Sequence, residues 1–492
     1  MKEIRLRFAP SPTGYLHVGG LRTALYNYLY ARKMNGKFIL RIEDTDRTRF
    51  VEGAIENLIK ALEWSGIEYD EGVFLDGGKI VQKGDYGPYI QSERTEIYRQ
   101  YIDTLLEKGI AYHCFCSKER LDDLREGQRI RGEVPKYDGL CRGVSLEEAR
   151  ERIANGEEYV IRLKLPHNKD IKFNDLVRGN VSINTNDIDD QVLIKSDGFP
   201  TYHMAVVIDD HLMGITHIVR GEEWLSSTPK HVYLYEALGW DIPTYVHLPT
   251  VLNADRKKLS KREGDVAVED FKKNGYLPEA LINFLLLIGW SPEDNEEIMP
   301  IDKMIESFSF ERVAKTGGVF DYDKLNWVNA HYIKEKPSSE LLPLIEPYLI
   351  EADLVDSKFI AENKEWMERL IDITKEGTDT LKEFPQKMEF MFRDLEVTEE
   401  DAVEALNSED FPKIYEALKK ELESVDEVTE EFSKSVMKKV GQESGVKGKS
   451  LFMPTRAAIS FTLHGPDLSS IIYLLGKERL LERLEKAMKA RG

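Results

Sequence analysis

Residues 9–20 read APSPTGYLHVGG, and the segments that bound this stretch decide the fold. Before it, residues 4–8 (IRLRF) alternate as a short strand does. After it, Leu21, Leu25, Tyr28 and Leu29, with Ala24 and Arg32, fall at helical spacing until Gly36 supplies a stop. The stretch is therefore read as a strand-to-helix crossover. Two prolines stiffen its first half, and Gly14, Gly19 and Gly20 remove side chains where the backbone must turn or approach something closely. A helix N-terminus offers unpaired N–H groups and a partial positive charge, so a phosphate is the natural guest, with His17 as an added donor. The alternative is a tight turn with packing glycines and a surface histidine.

Outward from this crossover, residues 37–43 (KFILRIE) read as a buried strand, 44–47 as a polar turn and 52–64 as a helix. Strand, helix, strand, helix implies a parallel sheet, whose ligands sit beyond the C-terminal strand ends, where Ser11 and Glu43 would lie. Residues 66–92 read as loop and 93–108 as a helix. From 110 to 195 short strands (159–165 and 181–184), turns and a helix near 146–155 read as an insertion. The α/β pattern then resumes with strands at 202–209 and 215–220, a helix that Thr228 caps and Pro229 starts, a strand at 246–252 and a helix from Pro278. Beyond 330 only helical patterns occur, among them 338–348, 359–374 and 411–422. The chain closes with an apolar and basic segment at 451–459, a turn at HGPD and an amphipathic helix.

A chain of 492 residues is too long for one core. Its longest apolar run, residues 281–290 (LINFLLLIGW), contains Asn283 and is too short to cross a bilayer. The N-terminus enters a strand directly, without an apolar or Arg/Ser-rich leader, so a cytoplasmic protein is expected. A net charge of −20 repels nucleic acid from the surface as a whole, so a polyanionic partner needs local basic patches. Two occur, RKKLSKR at 256–262 and the lysines between 434 and 449. The first follows a strand and precedes Glu263-Gly264. It is a loop with mobile lysines, suited to a reaction in which charge builds on a triphosphate.

HVGG on a strand-to-helix turn, followed far along the chain by KLSKR, resembles the two signatures of class I aminoacyl-tRNA synthetases. RFAPSPTG, RIEDTD, TYH and RGEEW narrow the resemblance to glutamyl-tRNA synthetases of the bacterial type, over essentially the whole chain. It implies an α/β, Rossmann-type parallel-sheet catalytic domain split into residues 1–109 and 198–330. An inserted α+β acceptor-binding domain would span 110–197, and an all-α anticodon-binding region 331–492. It also implies ligation of L-glutamate to the 3′ end of the glutamate tRNA through a glutamyl-adenylate, with Mg-ATP consumed and AMP and pyrophosphate released. A monomer with no membrane partner is expected.

Residue by residue, Arg7, Ser11, Glu43, Tyr202 and Arg220 match family positions that hold glutamate. His17, Gly19, Gly20, Glu223, Trp224, Lys258, Leu259 and Lys261 match positions around ATP, with His17, Lys258 and Lys261 acting on the phosphates. The chemistry agrees: two guanidiniums serve two carboxylates, and Glu43 receives the ammonium. Departures are Gly20 where many class I enzymes have His, Leu259 and Arg262 in the second motif, and Val206 where some relatives carry Asn. Charging of the glutamine tRNA is left open. A glutamyl-transferring tRNA-modifying paralogue would have no use for the helical C-terminal third, and a glutaminyl-tRNA synthetase would show strands there.

All three cysteines, Cys114, Cys116 and Cys141, lie in the insertion, which argues against a disulfide framework and for metal ligation. Zinc prefers a tetrahedron of four N, S or O ligands. In relatives with this spacing the fourth comes from a His two residues after the last Cys, here Gly143, or from a Tyr four before it, here Tyr137. His113 is a further candidate. A structural zinc pinning the acceptor-binding insertion is the expectation, against three buried reduced thiols.

Overall fold

The computed structural model describes residues 3–260 and 265–491. Two units form: one from residues up to Phe271 together with Leu281–Tyr322, the other from Lys272–Ala280 together with the chain from Asp323 onward.

The first unit is built on an eight-stranded sheet. In chain order its members are β1 (Arg5–Phe8), β2 (Lys37–Leu40), β3 (Glu71–Asp76), β4 (Lys79–Lys83), β7 (Asp170–Asp175), β8 (Gly179–Asn184), β10 (His217–Gly221) and β11 (Thr244–Leu248). They lie in the order β4-β3-β2-β1-β10-β11-β7-β8. The six inner strands are parallel and each edge is closed by an antiparallel hairpin partner. Helix α1 (Val18–Lys33) crosses from β1 to β2, and α2 (Ala54–Trp64) from β2 to β3. A Rossmann-type parallel sheet is thus the core of this unit; β2 is buried as the sequence implies, whereas β1, read as an alternating strand, is buried along its whole length, as a central parallel strand is.

Several elements differ from the sequence reading. The run at 202–209 is not a strand but α6 (Tyr202–Leu212), with Met204 to Asp210 all buried. An apolar run of this length, covered on every side, carries no periodicity that separates helix from strand. Residues 66–92, read as loop, hold the β3–β4 hairpin, turned by Gly77 and Gly78 at φ 57° and 80°, the pair of positive φ values a two-residue hairpin turn requires. The strand expected at 246–252 is interrupted at Pro249 into β11 and β12 (Val251–Leu252), and β12 pairs with β13 (Gly318–Val319). Thr228 does not cap α7 (Thr228–Leu238): the helix starts on it, Ser227 precedes it, and its hydroxyl is engaged elsewhere.

Residues 110–197 divide between two sheets. β5 (Ala111–Cys114), β6 (Val160–Leu163) and β9 (Val192–Ile194) form a separate three-stranded sheet, with α4 (Lys118–Ile130) and α5 (Leu146–Ala154) beside it in sequence. The β7–β8 hairpin, read as part of the insertion, extends the large sheet instead, where β7 pairs with β11. The run at 281–290 is buried core. Its one polar member, Asn283, accepts from the Met299 N–H and donates to the Glu297 carbonyl, which satisfies the amide. No helix among the described residues is long and apolar enough to cross a membrane.

The second unit contains only helices among its described residues. They include Ser338–Glu351, Phe384–Phe392, Phe411–Glu423, Glu430–Ser444, Lys449–Ser460 and Leu468–Lys489. The single helix expected at 359–374 is two, Ser357–Glu362 and Lys364–Thr374, separated by Asn363 at φ −121°.

Candidate active site

β1 and β10 are neighbouring parallel strands whose onward connections, α1 and α7, lead to strands on opposite sides. That arrangement opens a crevice at their C-terminal ends. The chain leaving β1 is held to the chain leaving β2: the Arg41 N–H donates to the Phe8 carbonyl, Glu43 to Pro10 and Val51 to Pro12, each at 3.0 Å. Ser11, which is exposed, and Glu43, which is buried, therefore flank one mouth, as the sequence implied.

His17 is the N-cap of α1, and its Nδ1 accepts from the Gly19 N–H at 3.0 Å. In a neutral ring the proton is then on Nε2, the atom a phosphate would meet. A Cβ at Gly20 would stand 3.0 Å from Leu16 Cδ1, so this close turn admits no larger residue without movement. The chain that follows the basic loop pairs with the same turn: the Val18 N–H donates to the Val266 carbonyl and the Val268 N–H to the Leu16 carbonyl, both at 2.9 Å. Lys258 is exposed on a tight hairpin in which buried Leu259 donates its N–H to the Val251 carbonyl at 3.0 Å. Lys261 and Arg262 lie outside the described residues.

Deeper in the crevice the structure gathers Arg7, Glu43, Tyr202 and Arg220. Arg7 Nε donates to Asp210 Oδ1 at 2.9 Å and its Nη1 to the Val219 carbonyl at 3.2 Å. Arg41, fully buried, bridges Asp210 at 2.8 Å and Glu43 at 3.1 Å. Arg94 pairs with Asp209 at 2.7 Å, and Gln91 and Tyr98 donate to the same carboxylate. Burial pushes the Glu43 carboxyl up to about 7, against the pull of Arg41 and Arg7.

Arg220 differs from the other guanidiniums. Its Nη1 donates to Tyr202 Oη at 3.1 Å and to His231 Nδ1 at 3.2 Å, Nη2 to Thr228 Oγ1 at 2.7 Å, and Nε to His247 Nε2 at 3.1 Å. All four partners are neutral oxygens or imidazoles, and burial together with the Arg220 charge holds His231 well below the usual histidine value. Among the described residues no carboxylate lies within ion-pair distance of this side chain, which is only 6% exposed. Arg7, Arg41 and Arg94 are thus set against Asp209, Asp210 and Glu43, and Arg220 has no carboxylate in direct contact among the described residues. Trp224 covers Tyr202 with ring centroids 4.1 Å apart, and Glu223 lies against the Gly221 backbone, its carboxylate 2.1 Å from where a Cβ would be. Val206 is packed in the apolar core around Tyr98 and Leu105, so it contributes no polar contact.

Sequence reading missed Arg41, Asp209, Asp210, Asp175, His231 and His247. A signal existed for two of them, because an acid pair ending an apolar run (VVIDD) must find cations if it is buried.

In the insertion the sulfurs of Cys114, Cys116 and Cys141 lie within 4.8 Å of one another. Cys116 and Cys141 are 3.6 Å apart, and Tyr137 Oη sits 3.4 Å from Cys114 Sγ and 3.6 Å from Cys116 Sγ. Ligands at about 2.3 Å on a tetrahedron are about 3.8 Å apart, and these three separations are close to that. His113, on the same strand as Cys114, packs instead against Phe115 and Tyr159. In the second unit Lys434, Lys438, Lys447 and Arg456 line one open groove of about 660 Å³ with half-exposed Phe452.

Residues 3–327 match the family model described as tRNA synthetases class I (E and Q), catalytic domain, and residues 340–488 match an anticodon binding domain. The glutamate–tRNA ligase of Finegoldia magna is 60% identical over 99% of this chain and 100% of that protein. That of Clostridioides difficile is 54% identical over 98% of each. Among solved structures, a glutamate tRNA ligase from Elizabethkingia meningosepticum, crystallised in complex with its amino acid, superposes with a TM-score of 0.90 at 38% identity over the whole of both chains.

Proposed function

The chain belongs to the class I glutamyl and glutaminyl tRNA synthetases, and from that premise we propose that it ligates L-glutamate to the glutamate tRNA with Mg-ATP as co-substrate. The observation that carries this reading is Arg220, a buried guanidinium whose four protein partners are all neutral. A buried cation without an anion is costly, and the side-chain carboxylate of glutamate supplies the anion. Glutamine would leave the charge unmet.

In this reading the glutamate ammonium meets Glu43 and Ser11, with Arg7 turned toward its α-carboxylate. Binding an ammonium favours the ionised form of Glu43. The α-carboxylate oxygen attacks the α-phosphorus, the bond from that phosphorus to the bridging oxygen breaks, and pyrophosphate leaves. His17 Nε2–H, Lys258 and Lys261 hold the phosphates as negative charge gathers on them, while Gly19, Gly20, Glu223, Trp224 and Leu259 shape the nucleotide site. A hydroxyl of the terminal tRNA ribose then attacks the acyl carbon and AMP departs. No protein nucleophile is needed, and positioning supplies the rate.

The insertion would hold the acceptor end, and residues 331–492 the anticodon end, with Lys434, Lys438, Lys447 and Arg456 as contacts. A zinc ion held by Cys114, Cys116, Cys141 and Tyr137 would cross-link β5 to the 137–141 loop.

The test is transfer of labelled glutamate, with Mg-ATP, onto unmodified transcripts of the glutamate and glutamine tRNAs in separate reactions. Charging of the glutamate tRNA supports the reading, and charging of both extends it to a non-discriminating enzyme. Charging of neither refutes it.

A further inference from the structure

Arg220 is held from behind by a relay written into the register of three adjacent parallel strands. Arg220 on β10 is the register partner of His247 on β11, and Tyr245, two residues before His247, is the partner of Asp175 on β7. Asp175 Oδ2 receives the His247 backbone N–H at 3.0 Å and lies 2.6 Å from its Nδ1. Asp175 Oδ1 receives the N–H groups of Val177 at 2.9 Å and Arg178 at 2.8 Å. Burial opposes ionisation of this carboxyl, but the hydrogen bonds from His247 and from the Arg178 and Val177 backbone outweigh it and hold the group below the usual carboxylate range. Asp175 is 1% exposed and His247 is fully buried, so neither meets solvent.

A carboxylate that accepts from Nδ1 decides which imidazole nitrogen carries the proton. His247 therefore has its hydrogen on Nδ1, and its Nε2 is an acceptor, the only form that can take the Nε–H of Arg220 at 3.1 Å. The ring of Tyr245 stacks on that of His247 at 11° and also lies under the Arg220 guanidinium, 5.4 Å from its carbon. With Nε fixed by His247 and Nη2 by Thr228, the plane and rotation of the guanidinium are determined. What remains adjustable is the edge shared with Tyr202 and His231, toward the crevice.

We propose that Asp175 and His247 are a positioning pair for substrate specificity, setting the orientation in which Arg220 receives the substrate's side-chain carboxylate. The proposal rests on the reading that Arg220 is the receptor of that carboxylate. Neither Asp175 nor His247 touches the substrate. They act by fixing one tautomer and one guanidinium rotation. In Asp175→Asn an amide of equal shape would keep its oxygen on the Val177 and Arg178 N–H groups and turn its NH₂ toward His247, where it meets Nδ1 and also the backbone N–H that Oδ2 had accepted, a loss of stability that the melting measurement reads. Nδ1 then becomes the acceptor and Nε2 acquires the proton; Nε2–H now opposes the Arg220 Nε–H and turns to its other neighbour, Thr228 Oγ1 at 3.0 Å, so the contact that orients Arg220 is lost.

The experiment measures KM for glutamate, KM for ATP and kcat in tRNA charging for the full-length wild type, Asp175→Asn, His247→Gln, the double variant and Arg220→Gln. Thermal melting is recorded on each preparation. Expected is a rise of about tenfold or more in KM for glutamate in both single variants, with KM for ATP within about twofold of wild type. The double variant should be no worse than the poorer single one, because the pair acts as a unit. Unchanged glutamate KM in both single variants, equal rises for glutamate and ATP, or additive losses in the double variant would overturn the proposal. Arg220→Gln separates the two readings. If it leaves the glutamate KM unchanged, the assignment of Arg220 itself fails. If it raises that KM while Asp175→Asn and His247→Gln do not, only the positioning pair fails.

Discussion

Arg7 Nε and Asp210 Oδ1 are 2.9 Å apart inside the protein, with Arg41 on the same carboxylate oxygen at 2.8 Å. One buried acid thus holds two guanidiniums at the floor of the crevice, and Arg7 arrives at the substrate already oriented. Asp210→Asn leaves two buried cations facing each other, with Arg41 still beside Glu43 at 3.1 Å and Asp209 at 4.0 Å but Arg7 without its carboxylate partner. Removing one member of such a group typically costs about 3 to 5 kcal/mol. The expected outcome is a fall of that order in unfolding free energy, read by chemical denaturation, with Arg7→Lys losing glutamate affinity at smaller cost to stability.

Glu43 gives the crevice a dependence on pH. Burial raises its folded value to about 7 from an ordinary 4.5, so between these limits the folded state holds a proton that the unfolded chain has released. The stability contributed by this group is full below about 4.5 and is lost as pH rises through about 7. Binding has the opposite sense, since an ammonium requires the carboxylate. KM for glutamate should fall as pH rises from 6 to 8 over the range set by that value, and Glu43→Gln should remove the dependence while raising KM throughout. A flat profile in the wild-type enzyme would refute the role assigned to Glu43.

Phosphate-side residues should separate cleanly from glutamate-side ones. His17→Ala and Lys258→Ala each remove a donor aimed at developing charge and are expected to lower kcat about 100-fold or more. KM for glutamate should change little in either, because neither side chain is among those proposed to hold the amino acid. Single-turnover charging would show the loss in adenylate formation. An equal loss in acyl transfer from preformed adenylate would contradict the assignment.

The sulfur cluster leads to a measurement of metal content. Purified protein should hold about one zinc ion per chain, and Cys141→Ser should lose it. Tyr137→Phe should weaken retention against a chelator and lower the melting temperature slightly, since it also removes the acceptor of the Cys141 N–H at 2.9 Å. Zinc removal should raise KM for tRNA far more than KM for glutamate. Zinc-free protein with unaltered tRNA kinetics would reduce the cluster to three reduced thiols.

How much of this was legible beforehand depended on whether a residue's role is local or set by the fold. The turn at His17, Gly19 and Gly20 could be read because its chemistry lies within a few residues: prolines, glycines and a capping side chain between a strand and a helix. Arg7, Glu43 and Arg220 came from the family motifs, and the crevice explains them. His247 and Asp175 could not be read, since each acts on a residue brought near only by strand order, while Asp210, at the end of VVIDD, signalled a buried acid but not which cations it meets. The same ambiguity turned α6 into an expected strand. The β7–β8 hairpin was assigned to the insertion because sequence proximity says nothing about which sheet edge a hairpin will join.

The central claim is that a buried, otherwise uncompensated Arg220 selects glutamate by charge. Its most direct test compares kcat/KM for glutamate with that for glutamine in charging of the glutamate tRNA by the wild-type enzyme. Expected is discrimination of about 1,000-fold or greater in favour of glutamate, the scale at which a site built around a buried charged donor rejects an uncharged isostere. Glutamine used within about tenfold of glutamate would contradict it, because that ratio is what a pocket reading only size and shape can achieve.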